Sequence, residues 1–146
     1  MLRTSNDGFG LKSYFCTMPQ IQILTIDDIK LLVDTFYKRI QSDELLGPIF
    51  NERIGDKWPI HIEKMYRFWQ TVLLEEYTYN GRPFPPHAQL PVGPEHFALW
   101  LALFTQTVDE LFTGDKATEA KWRAAKMAEI FQHKIAYLKN NPLNIV

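Results

Sequence analysis

The segment Gly81-Arg82-Pro83-Phe84-Pro85-Pro86-His87 divides this chain into two halves that no single helix can join. Proline lacks the N–H that a helix interior needs, fixes its own φ, and biases the residue before it away from the α region. Pro83, Pro85 and Pro86 therefore make a stiff connector. It presents one histidine, His87, just ahead of a strongly apolar stretch opening at Gly93-Pro94.

On both sides of the connector the apolar residues recur at helical spacing. Thr25-Ile-Asp-Asp28 resembles a capping box with Asp in place of Glu, and Ile26, Ile29, Val33, Phe36, Tyr37 and Ile40 follow on one face. Residues 42–50 read as a short turn of helix ended by Gly47-Pro48, with Ile49 and Phe50 turned inward at the corner. A second long helix opens at Asp56 or Lys57, tolerates Pro59 in its first turn, and must stop before Asn80-Gly81. Its inner stripe is His61, Met65, Phe68 and Val72, with Trp69 beside it. A third helix from Gly93-Pro94 shows Phe97, Trp100, Leu101, Phe104, Val108, Leu111 and Phe112, and Thr113-Gly114-Asp115 breaks it. The last carries Ala124, Ala128, Phe131, Ile135 and Leu138, and Asn140-Asn141-Pro142 stops it. No segment sustains a period of two, so the expected fold class is all-α.

At 146 residues with 46% hydrophobic content, the chain suffices for one well-buried domain. We expect a loose N-terminal extension over 1–20, either tag-like or a misplaced start with Met18 the true beginning, and a single domain over 21–146. A formal charge of −1 with mixed signs argues against nucleic acid as a partner. The one cysteine, Cys16, can form no internal disulfide, and no apolar run reaches membrane-spanning length. A cytoplasmic monomer, away from membranes, is expected. The aromatic supply of ten Phe, six Tyr and four Trp can fill a core or line a pocket for a flat apolar ligand.

Chemistry concentrates on His87. A loop histidine is ordinarily solvated, but the prolines before it and Leu90 and Val92 after it set the imidazole against the core, and neutral imidazole is a common metal ligand. One protein ligand alone suits a haem, whose porphyrin brings four nitrogens. His61 and Met65 do not form a His-Glu-x-x-His pair, and a single cysteine excludes a structural zinc cluster. Glycine-rich phosphate loops are also missing. Tyr37, His61 and Trp100 stand out as polar or amphipathic groups on apolar faces. Tyr37 and Trp100 read equally as core aromatics, and His61 as a helix-terminal histidine meeting solvent. The alternative is that all three aim donors into one cavity, where each bond to a partly anionic diatomic ligand contributes roughly 1.5–3 kcal/mol.

From Ile23 to about Ile135 the chain resembles the truncated haemoglobins, and within them group III. The matching pieces are Phe36-Tyr37, Leu46-Gly-Pro-Ile-Phe50, Trp58-x-x-His61 with Phe68-Trp69, Tyr79-Asn-Gly-Arg-Pro83, His87-x-x-Leu90 and Trp100-Leu-x-Leu-Phe104. Their joint order and spacing carry the resemblance. It implies a shortened globin-like fold, a two-over-two helical sandwich around haem b, with a very short proximal helix. By position, His87 is the implied proximal iron ligand and Tyr37, His61 and Trp100 the distal polar set. Phe36, Phe50, Lys64, Met65, Phe68, Leu90 and Phe104 are the implied haem-pocket residues. Lys64, Arg67 and Arg82 are candidate propionate partners by charge. His96 is the rival proximal ligand, disfavoured because the proline approach and the His-x-x-Leu context belong to His87.

The resemblance implies a protein that binds oxygen, or another diatomic ligand such as NO or CO. The alternative is an enzyme using the same haem for nitric oxide dioxygenation or peroxide reduction, fed by an external reductase. A cofactor-free all-α interaction module is the remaining reading.

Overall fold

The computed structural model describes residues 19–141; Cys16, most of the expected extension and Pro142 lie outside them. Among the described residues five α-helices run in order: α1 Ile26–Ser42, α2 Leu46–Ile54, α3 Trp58–Leu74, α4 Pro94–Leu111 and α5 Asp115–Asn140, with 3₁₀ turns at Gly55–Lys57 and Pro85–His87. The fold is all-α, and α1 packs on α3 and α4 while α4 packs on α5, the two-over-two arrangement of a shortened globin. Among the described residues no helix is long and apolar enough to cross a membrane.

Helix α1 starts where Thr25 and Asp28 cap each other, the Thr25 N–H donating to Asp28 Oδ2 at 3.0 Å. Its apolar stripe, Ile29, Leu32, Val33, Phe36, Tyr37 and Ile40, is wholly in the core. Burying side chains of this size stabilises the fold by about 1.5–3 kcal/mol each. Trp69, Leu73, Phe104 and Val108 meet that stripe from α3 and α4, and Trp69 stacks on Phe104 with ring centroids 5.0 Å apart. Helix α5 turns an alanine stripe inward (Ala117, Ala120, Ala124, Ala128), which lets backbones approach closely. Arg39 clamps α1 to α4 through Thr107 Oγ1 at 3.0 Å and through the Glu110 carboxylate. Before α1, Ile21 pairs with the α4–α5 corner, the Thr113 N–H donating to the Ile21 carbonyl at 2.9 Å.

Two local expectations are corrected. Gly47-Pro48 does not end a helical turn; it lies in the first turn of α2, where an absent N–H leaves no intrahelical bond unmade. A side chain at Gly47 would come within 2.7 Å of the Gln41 carbonyl oxygen, so this close approach of α2 to the end of α1 needs glycine. Helix α3 stops at Leu74, before Asn80-Gly81 as expected, with Glu75 in the left-handed conformation at φ 58° after it. Finally, Phe84, which precedes Pro85, is right-handed helical at φ −71°, ψ −47°. The bias against that region is overcome by the 3₁₀ turn that follows, where the His87 N–H donates to the Phe84 carbonyl at 2.7 Å.

Candidate functional site

The connector folds into a brace around His87. Pro85 and Pro86 occupy the first two positions of a 3₁₀ turn, where their missing N–H groups have no role, and His87 is its third residue. The imidazole Nδ1 lies 2.7 Å from the Pro83 carbonyl oxygen. A carbonyl oxygen only accepts, so Nδ1 carries the proton and Nε2 keeps its lone pair. Arg53 of α2 donates to the Pro86 carbonyl at 3.1 Å, and Lys139 near the end of α5 to the Val92 carbonyl at 2.9 Å. Phe131 of α5 packs on the His87 ring at 4.9 Å and on Phe84 at 5.3 Å. Burial, helped by the nearby Arg53 charge, lowers the His87 pKa against the raising influence of the Pro83 bond.

Tyr37, His61 and Trp100 belong to one aromatic cluster spanning three helices. Tyr37 meets His61 edge to face at 5.3 Å and 88°. Phe36 links them onward, lying 5.0 Å from Tyr37 and 5.5 Å from Trp100, and Trp100 stacks on Phe104 at 5.7 Å. Phe50 reaches Tyr37 at 6.4 Å. Met65 and Phe68 are half-buried against the core, one row beside the deeper Trp69 and Leu73. Tyr37 is buried at 6% exposure, and this burial pushes its hydroxyl far above its ordinary pKa, so it stays protonated.

His61 carries the clearest signature of an unmet need. Its Nε2 is buried without a hydrogen-bond partner. Its pKa is lowered to about 4, first by burial and then by the charges of His87 and Lys64. The two histidines thus lie within electrostatic reach of each other although one stands on α3 and the other in the 3₁₀ turn of the connector.

Other expected residues sit less centrally. Lys64 is exposed, and Arg67 is engaged by Glu63 at 2.8 Å and Gln70 at 3.0 Å. Arg82 is exposed, and Leu90 is half-buried with its N–H donating to the His87 carbonyl at 3.1 Å. His96 turns to its own helix: its Nδ1 accepts the Gly93 N–H at 2.9 Å. That nitrogen is therefore unprotonated, and the 3.3 Å approach of Glu95 to it is no ion pair. Sequence reasoning missed Phe131, which shares its helical phase with ordinary core residues, and Arg53, which no periodicity marks. It quoted Trp58 without giving it a role, yet Trp58 lies edge to face with both Tyr37 at 6.0 Å and His61 at 5.6 Å.

Comparisons with known proteins agree with this architecture. The family model described as bacterial-like globin matches residues 24–136. A group 3 truncated hemoglobin of Campylobacter jejuni is 33% identical over 120 residues, covering 80% of this chain and 94% of that protein. The crystal structure of a group III truncated hemoglobin from Campylobacter jejuni superposes with a TM-score of 0.73 at 33% identity, covering 80% of this chain and 95% of that one. The chain therefore belongs to the bacterial-like globin family, in its group III truncated haemoglobin branch.

Proposed function

We propose that the chain holds haem b through His87 and binds oxygen, or another diatomic ligand such as nitric oxide or carbon monoxide, on the side lined by Tyr37, His61 and Trp100. The observation that carries this reading is the 2.7 Å contact of His87 Nδ1 with the Pro83 carbonyl. It commits the Nδ1 proton and leaves Nε2 as a free donor atom, the tautomer that a metal-ligating imidazole needs, with its orientation set by the second nitrogen. The depressed pKa keeps that ring neutral at neutral pH.

The remaining side chains fit the group as well. Among the described residues no three His, Cys, Asp or Glu side chains gather to hold a bare ion, and a haem needs only one such donor from the chain. An unpartnered buried imidazole nitrogen such as His61 Nε2 costs about 1–3 kcal/mol unless a ligand meets it. When bound, haem supplies the iron at which a diatomic ligand is held. The Tyr37 hydroxyl remains a donor because burial prevents its ionisation. Phe36, Met65, Phe68 and Phe104 supply apolar wall, and a water-poor wall strengthens each polar contact inside it. Phe50 and Leu90 would border the ring, and Lys64 is placed by charge to meet a propionate.

A dense donor set slows ligand release, which favours retention over delivery. The same donors support a second reading, nitric oxide dioxygenation or peroxide reduction with electrons from an external reductase, since buried donors polarise an O–O bond. Titration of the purified chain with haem tests the first reading: a Soret band at one haem per chain is expected, and its absence would sink both. Turnover with nitric oxide and a reductase separates binder from enzyme.

A further inference from the structure

The imidazole of His61 packs edge to face on two aromatic rings, Tyr37 at 5.3 Å and Trp58 at 5.6 Å, each at 88° to it, and those two rings meet each other at 6.0 Å. Its Nε2 has no hydrogen bond to fix the ring, so packing against these two neighbours helps to set its orientation. Tyr37, on α1, is buried in the core. Trp58, the first residue of α3, is only half-buried and needs an anchor of its own. That anchor is Asn51 of α2, whose Oδ1 accepts the Trp58 indole N–H at 3.1 Å. The Asn51 amide nitrogen in turn reaches the Gln41 carbonyl at the end of α1 at 3.4 Å, which sets the side-chain oxygen toward Trp58.

We propose that Asn51 and Trp58 are positioning residues that hold the His61 ring toward the ligand, by a chain of contacts running from the α1–α2 corner to Trp58 and on to His61. This rests on the distal role of His61 proposed above. Asn51 is exposed and touches neither Tyr37 nor His61 by any hydrogen bond, so its influence on the site passes through the indole. With the indole free to turn, His61 loses one wall, and its imidazole spends less time where it can donate to a bound ligand.

The test uses the haem-reconstituted protein and the oxygen dissociation rate measured by stopped flow, with urea midpoints alongside. Asn51→Leu should raise the rate about threefold or more, the range expected for one weakened hydrogen bond. Trp58→Phe should raise it similarly, and the double variant no further, because both break the same link. Asn51→Asp, which keeps an oxygen acceptor for the indole, should stay near the wild-type rate. In a His61→Ala background Asn51→Leu should change nothing, an outcome that general loosening of the fold would not produce.

A raised rate for His61→Ala beside an unchanged rate for Asn51→Leu overturns this proposal alone. A wild-type rate for His61→Ala overturns the distal reading of His61 and this proposal with it. An equal effect of Asn51→Leu with and without His61 also overturns it.

Discussion

Tyr37 and His61 meet edge to face, ring centroids 5.3 Å apart, although α2 and a 3₁₀ turn separate their helices in the chain. The phenol is buried and held protonated, so it is a permanent donor beside an imidazole that is neutral at ordinary pH. Tyr37→Phe keeps the ring contacts with Phe36, Trp58 and His61 and removes only the hydroxyl. The oxygen dissociation rate of the reconstituted variant should rise about tenfold or more, as expected for loss of one bond to a partly charged ligand. An unchanged rate would remove Tyr37 from the distal set.

The depressed pKa of His61 also sets a pH dependence. Burial first, then the charges of His87 and Lys64, hold it at about 4 against an ordinary value of 6.5. Between those values the unfolded chain binds the proton and the folded chain does not. The contribution to stability is therefore complete above about pH 6.5 and is lost as the pH falls toward 4. For a partly solvated ring the loss is on the order of 1–2 kcal/mol. Urea midpoints should fall more steeply over this window for the wild type than for His61→Leu, and parallel profiles would contradict the assignment.

Phe36 ties the two sides of the aromatic cluster together through Tyr37, Trp100 and Phe104 at 5.0–5.5 Å. It is 2% exposed, so truncation leaves a cavity that its helix-bound neighbours cannot close. Phe36→Ala should lower unfolding free energy by about 3–5 kcal/mol in urea. Phe36→Leu, which fills most of that volume, should lower it by less than half as much, and equal losses would point to a specific ring interaction instead.

The helices were legible because their signals are local. Thr25 and Asp28 marked the start of α1, and the spacing from Ile29 to Ile40 marked its buried face. Where a signal depended on conformation it was lost: nothing in the identity of Glu75 announces a left-handed residue, and Pro48 reads the same whether it opens a helix or closes one. The site divides similarly. His87 was conspicuous because prolines frame it, and the group III motifs pointed to Tyr37, His61 and Trp100. That Tyr37 meets His61 directly and Trp100 through Phe36 depends on how α1, α3 and α4 cross, which helical phase does not encode. Phe131 and Trp58 were silent for the same reason, since a residue that packs on a histidine has the same periodicity as one that packs on leucine.

His96 and His87 differ in what their Nδ1 atoms do. In His96 it accepts the Gly93 N–H at 2.9 Å, closing the N-terminus of α4. His96→Ala should therefore lower stability by about 1 kcal/mol, the usual loss for a helix cap, in thermal or urea unfolding. No loss would mean that the contact contributes nothing in solution.

His87 instead gives its Nδ1 proton to Pro83 and keeps Nε2 free. The iron–histidine stretching band of the ferrous, haem-reconstituted protein, recorded by resonance Raman for wild type, His87→Ala and His96→Ala, tests that assignment directly. The band should persist in His96→Ala and vanish, or haem fail to bind, in His87→Ala. A band that survives in His87→Ala and is lost in His96→Ala would contradict the account.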